Sequence, residues 1–235
     1  YFRRTAEDGW VTPIVEGFDH DFELVGSDRD DLYILTNYKA ANRRLIRINT
    51  QRPEERYWEE VLAEAEHKLQ DVEMVGGRFI AHYLQNAYSA LYLYSKRGEM
   101  LKRLVLPDIG TVQDISGKSS SNEAFIAYTS FLIPTTIYRL DLEAESLLPY
   151  RSPSVDFDRE YYEVNQVEFE SYDGTKVPMF VIHKKGIKLD GTNPTLLYGY
   201  GGFNISITPS FNLTRNMLFP IVLENGGVCA VVNLR

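Results

Sequence analysis

The chain has 235 residues, 44% of them hydrophobic and 25% charged, a balance that excludes a disordered polymer and suits one or two folded domains with a real core. Its 33 acidic residues against 25 basic ones leave a formal charge of −8, which repels a phosphate backbone and argues against nucleic acid as a partner. The single cysteine, Cys229, cannot form an intrachain disulfide. It lies in an apolar run, so a small buried thiol in a reducing compartment, the cytoplasm, is expected. No window approaches the roughly 20 apolar residues that span a bilayer, and nothing at the start reads as a signal peptide, so no membrane association is expected. Two sequons, Asn204-Ile205-Ser206 and Asn212-Leu213-Thr214, are short enough to arise by chance and leave the cytoplasmic reading in place. The opening at Tyr1 without methionine and the stop at Arg235 just after an apolar strand pattern read as the ends of a fragment.

From Tyr1 to about Ser154 the organising feature is a repeat. Leu32-Tyr33-Ile34-Leu35-Thr36 recurs as Arg78-Phe79-Ile80-Ala81-His82 and as Ala124-Phe125-Ile126-Ala127-Tyr128, each 46 residues after the last. A second run keeps the same register in Leu45 to Ile48, Leu91 to Tyr94 and Ile137 to Leu140. Several short strands per period of this length are the mark of propeller blades, which bury their faces against neighbouring blades; three of them cannot close a ring. Glu54 to Leu69 conflicts with this pattern. Trp58, Val61, Leu62, Ala65 and Leu69 fall on one helical face, whereas the repeat asks for an outer strand near Tyr57 to Leu62 and an inner strand near Val72 to Val75. The inner strand is taken from the repeat, and the secondary structure of 54–69 stays open. The apolar connection Ser130 to Thr136, with Phe131, Leu132 and Ile133, reads as filler between blades or as a surface facing a second domain.

Carried forward another 46 residues, the repeat fails at Ser171-Tyr172-Asp173-Gly174, and just before it lies the linker signal Tyr150 to Ser154. The reading is therefore a partial propeller over 1–154 and a second domain over 155–235. In the second, Val164 to Ser171 and Val177 to His183 are predicted strands joined by a tight Asp173-Gly174 turn. The strand Thr195 to Tyr198 follows, then a glycine-rich turn. Asn212 to Asn225 reads as a helix stopped by Gly226-Gly227, with Pro220 asking for a kink or a later start. Val228 to Asn233 reads as a strand covered on both faces.

Most catalytic patterns are missing. There is no GxSxG elbow to hold a nucleophilic serine. Gly117-Lys118-Ser119 has valine at 112 where a phosphate loop needs glycine. His20, His67, His82 and His183 show no paired-ligand spacing, so no metal and no cofactor are expected. Asp28 to Asp31 reads as a solvated turn.

What remains is Leu196-Leu197-Tyr198-Gly199-Tyr200-Gly201-Gly202-Phe203, where an apolar strand opens into a flexible loop bearing three aromatics. On its own this is either a turn with rings packed over it or a donor and an apolar wall aimed into a cleft. The longer run Thr195 to Pro209, TLLYGYGGFNISITP, closely resembles the start of the catalytic domain of the prolyl oligopeptidase family of serine peptidases. Ser171 to Gly191, SYDGTKVPMFVIHKKGIKLDG, resembles the same family, and the likeness continues more loosely through the earlier part. The resemblance implies blades of a seven-bladed β-propeller followed by the first strands of an α/β-hydrolase domain. It implies a full-length monomer that cleaves short peptides after proline, with the propeller excluding large folded substrates. By the same likeness Tyr200 supplies an oxyanion-hole hydroxyl and Phe203 lines the proline pocket, while Tyr198 is structural. The family's serine, aspartate and histidine would all lie past Arg235, so the fragment alone is expected to be inactive. Pro220 departs from the family pattern. A non-catalytic propeller module with an inert hydrolase remnant is the alternative, and a related oligopeptidase that cuts after basic residues is disfavoured by the YGYGGF match.

Overall fold

A computed structural model describes residues 1–3, 11–203, 205–211 and 218–233. Cα proximity divides the chain into two compact units. The first holds Tyr1–Tyr83, Tyr92–Arg103 and Lys118–Ser121; the second holds Leu84–Leu91, Leu104–Gly117 and Asn122–Arg235.

Three four-stranded sheets follow one another, each with its strands in chain order. The first is β1 (Phe22–Asp28), β2 (Asp31–Thr36), β3 (Arg44–Asn49) and β4 (Glu59–Leu62). Next come β5 (Lys68–Val75), β6 (Arg78–Gln85), β7 (Tyr88–Ser95) and β8 (Met100–Leu104), then β9 (Gly110–Gly117), β10 (Glu123–Ser130), β11 (Thr136–Asp141) and β12 (Ser146–Arg151). This four-strand meander is the blade form that the 46-residue period predicts.

In the first unit, β2 reads as a continuous apolar run because both of its faces are covered. Tyr33 and Leu35 join Leu45, Leu62, Leu69, Val72 and Phe79 in one cluster. Ile34 joins Ile46 and Ile48 in another, with Phe22 and Trp58 packed against it. Tyr33 and Phe79, equivalent positions of consecutive repeats, meet edge to face with ring centroids 5.0 Å apart.

Residues 54–69 are not a helix. A single 3-10 turn at Glu55–Tyr57 leads into β4, and β5 begins at Lys68. The five residues of the would-be helical face separate: Leu62 and Leu69 enter one cluster with Val61 against it, Trp58 serves the other, and Ala65 is exposed. Leu62 on β4 and Leu69 on β5 are buried in this arrangement, and tertiary burial outweighs local preference.

In the second unit β9 to β12 form the third blade, with Pro149 on the edge strand β12 where its missing N–H is tolerated. A fourth sheet differs in kind. Its order is β13 (Tyr162–Glu170), β14 (Lys176–Lys184), β16 (Val228–Val232), β15 (Thr195–Gly199), and β15 and β16 are parallel. The first hairpin keeps register over nine consecutive pairs, from Tyr162 with Lys184 to Glu170 with Lys176. Its turn places Gly174 at φ +79°, as the Asp-Gly signal requires.

Of the helix read over Asn212 to Asn225, residues 212–217 lie outside the described residues. The described part is α1 (Leu218–Glu224), which contains Pro220. It ends as the glycine pair predicts: Gly226 sits at φ +76°, and the Gly227 N–H donates to the Val222 carbonyl at 2.8 Å. β16 is buried at all five positions, inserted between β14 and β15. Among the described residues no helix is long and apolar enough to cross a membrane.

The connection after β10 shares one core cluster with Ala87 and Tyr88 of the second blade and with the fourth sheet. Leu132 is buried with Phe180, Ile182, Leu223 and Val231, and the Phe131 ring lies 5.3 Å from Phe180 and 6.3 Å from Phe219. The connection therefore faces the fourth sheet as well as the second blade.

Candidate functional site

Among the described residues β15 lies at the edge of its sheet beside β16, and Leu197 and Tyr198 on it are 67% and 45% exposed. Because β15 and β16 run in parallel, the loop after Gly199 and the residues after Val232 leave the sheet at one end. The carboxyl ends of parallel strands are where open α/β sheets place ligands, since the backbone turns there present unpaired groups and side chains to the same crevice.

The loop is rich in glycine, and a backbone contact closes it. Ile205 N–H donates to the Gly202 carbonyl at 3.2 Å. A Cβ added at Gly202 would stand 3.4 Å from the Tyr200 ring and its hydroxyl, so the phenol folds over bare backbone. Tyr200 is 43% exposed, and its hydroxyl has no hydrogen-bond partner among the described residues. Phe203 is 89% exposed and holds φ at +56°, the left-handed region that suits glycine better than a phenylalanine. Tyr198 is as exposed as Tyr200, so burial does not distinguish them; it differs in lying within β15, opposite Val231. A phenol whose donor has no partner among the described residues, beside an exposed ring, is chemically suited to a developing oxyanion and a small apolar group.

Asn233, which carried no signal in the sequence, fastens the end of this loop. Its side-chain oxygen accepts from Ile207 N–H at 2.7 Å, and its amide nitrogen donates to the Ile207 carbonyl at 3.1 Å. Its own N–H donates to the Pro178 carbonyl at 3.1 Å. One amide therefore reads both backbone groups of Ile207 while anchored to β14.

The other sequence candidates resolve as structure. Gly117 ends β9, and the turn beyond it closes with Ser121 N–H on the Lys118 carbonyl at 2.9 Å, which is a hairpin connection and not a strand-to-helix phosphate loop. Asp28 pairs with Lys96, and Asp31 accepts from the Asn49 amide at 2.7 Å. His20 lies edge-on to Tyr38, while His82 and His183 are buried. Among the described residues no group of three or more His, Cys, Asp or Glu side chains is placed to hold a metal ion. Burial pushes the Cys229 thiol up to about 12, which leaves it unreactive.

Residues 1–153 match the family model described as prolyl oligopeptidase, N-terminal beta-propeller domain. The chain is 38% identical over 223 residues to a prolyl endopeptidase of Elizabethkingia miricola, covering 95% of this chain and 31% of that protein. It is 31% identical to a dual function macrocyclase-peptidase of Amanita bisporigera, covering 94% and 30%. A solved structure from a study of two prolyl endopeptidases superposes with a TM-score of 0.81 at 35% identity, covering 94% of this chain and 32% of that one. Prolyl oligopeptidase B from Galerina marginata, in its apo form, superposes with a TM-score of 0.82 at 31% identity, covering 93% and 31%. The chain spans about a third of the length of these relatives. Its repeat, its four-stranded blades and these matches together place it in the prolyl oligopeptidase family of peptidases.

Proposed function

We propose that the whole protein to which this chain contributes is a serine endopeptidase that hydrolyses short peptides on the carboxyl side of proline. In this reading 1–154 are blades of a seven-bladed propeller, and 155–235, with the mixed sheet β13 to β16, begin an α/β-hydrolase domain. The observation that carries it is the Tyr200 phenol, unpaired among the described residues, at the carboxyl end of a parallel strand pair. Attack on a peptide carbonyl puts negative charge on oxygen. A positioned neutral donor stabilises that charge more in the transition state than in the ground state, typically by a factor of ~10² to 10³ in rate. Phe203 supplies a flat apolar wall for a pyrrolidine ring. The triad comes from the rest of the protein. We also place the protein in the cytoplasm as a monomer, in keeping with its buried lone thiol.

The test is Tyr200→Phe in the full-length protein. Turnover of a proline-containing peptide should fall at least tenfold while the melting temperature stays within a degree or so. Unchanged turnover would remove Tyr200 from the chemistry.

A further inference from the structure

The segment 205–211, directly downstream of the Tyr200 loop, is gripped from the third blade as well as from the fourth sheet. Thr111 on β9 and Thr129 on β10 are direct cross-strand partners. The Thr111 hydroxyl donates to the Pro209 carbonyl at 2.6 Å, and the Thr129 hydroxyl accepts from Phe211 N–H at 3.1 Å. Thr129 is 1% exposed, and its own proton is committed to the Ile133 carbonyl at 3.0 Å, which turns a lone pair toward Phe211. The two hydroxyls thus act as one donor and one acceptor, meeting the carbonyl and the N–H of alternate residues as the edge of a neighbouring strand would. Asn233 does the same for Ile207. Three polar side chains thus hold backbone groups at positions 207, 209 and 211, in addition to the packing of Ile207 against the core and of the Phe211 ring against Phe157.

We propose that Thr111 and Thr129 are positioning residues for the peptidase reaction: through 205–211 they hold the loop that presents the Tyr200 hydroxyl, so the register of the third blade sets the oxyanion donor. This rests on the reading of Tyr200 above. A hydroxyl pair of this kind, Thr129 buried and Thr111 half-buried, is a specific investment, because valine would fill the same space and take these partners from the Pro209 carbonyl and the Phe211 N–H. The described part of the loop, 200–203, is glycine-rich and largely exposed.

The experiment uses the full-length protein with Thr111→Val and Thr129→Val together, Thr111→Ser and Thr129→Ser together, and each pair repeated in a Tyr200→Phe background. The valine pair should lower kcat about tenfold, because a displaced catalytic donor is sensitive to sub-ångström shifts, with KM within about twofold. The serine pair, which keeps both hydroxyls, should restore most of it. In the Tyr200→Phe background the valine pair should have less than a twofold further effect, since the positioned group is already gone. Hydrogen exchange of the peptide spanning 199–211 should speed up several-fold in the valine pair only. Unchanged exchange refutes the tether. Faster exchange with equal losses of kcat in both backgrounds refutes positioning through Tyr200. If Tyr200→Phe alone leaves turnover unchanged, the oxyanion reading has failed and the catalytic role of the pair goes with it, while exchange still decides whether the threonines hold the segment.

Discussion

His82 on β6 is buried, and burial lowers its pKa from the ordinary 6.5 to about 4. The folded chain therefore keeps a neutral imidazole that the unfolded chain protonates more readily. The stabilisation is complete above about pH 6.5, where neither state takes up the proton. It is lost as pH falls toward 4, where only the unfolded form gains by charging, and the difference is about 3 kcal/mol. His82→Leu, which cannot titrate, should lose about that much less stability than the parent between pH 7 and pH 4 in urea unfolding. Equal losses would mean that the imidazole keeps its charge on folding. Residues such as Tyr200 and His82 were both visible in the sequence, one as part of a glycine-aromatic loop and the other inside a repeat. Thr111, Thr129 and Asn233 were not, because a lone polar residue gains its role only from a partner elsewhere; Thr111 and Pro209 stand 98 positions apart.

Within the elements, close approach decides what each strand tolerates. A Cβ at Gly110, the first residue of β9, would meet the Tyr128 hydroxyl at 2.2 Å and the Thr129 carbonyl at 2.4 Å. Tyr128 is fully buried and donates to the Asp108 carbonyl at 2.6 Å, so it has nowhere to go. Gly110→Ala should destabilise the third blade by about 2–3 kcal/mol, the range of overpacking in a tight core. It should lower the urea midpoint with little change in slope. A milder result, below about 0.5 kcal/mol, would show that β9 slides to make room. The strands that best matched their sequence signals are those with a turn or cap chemistry at their ends: the hairpin of β13 and β14 around Gly174, and the α1 to β16 junction at Gly226 and Gly227. The segment 54–69, which the sequence left open, takes the outer strand of the repeat as β4: helix propensity differs from alternatives by only about 0.5 kcal/mol per residue, while full burial of a leucine contributes about 1.5–3 kcal/mol.

At the scale of the molecule, the second unit joins a blade and a mixed sheet through one core, in which Leu132, Phe180 and Val231 are buried with Phe131 packed against them. The apolar connection after β10 contributes to this core. The 235 residues contain no GxSxG elbow, so under the proposed function the isolated chain should hydrolyse a chromogenic proline peptide no faster than buffer, while the full-length protein should turn it over. Hydrolysis by the isolated chain that survives Tyr200→Phe would require a nucleophile not recognised here.

Sequence alone determined the blade repeat, the tight turns and the glycine loop, because each depends on local patterning: a period imposed by equivalent burial, and backbone angles that only certain residues adopt. The tertiary structure decided the path of 54–69, the face that Phe131 and Leu132 cover, and the three-point grip on 207, 209 and 211. Those outcomes turn on which distant surfaces and polar groups meet, and the free energy of such meetings exceeds any preference that neighbouring residues express.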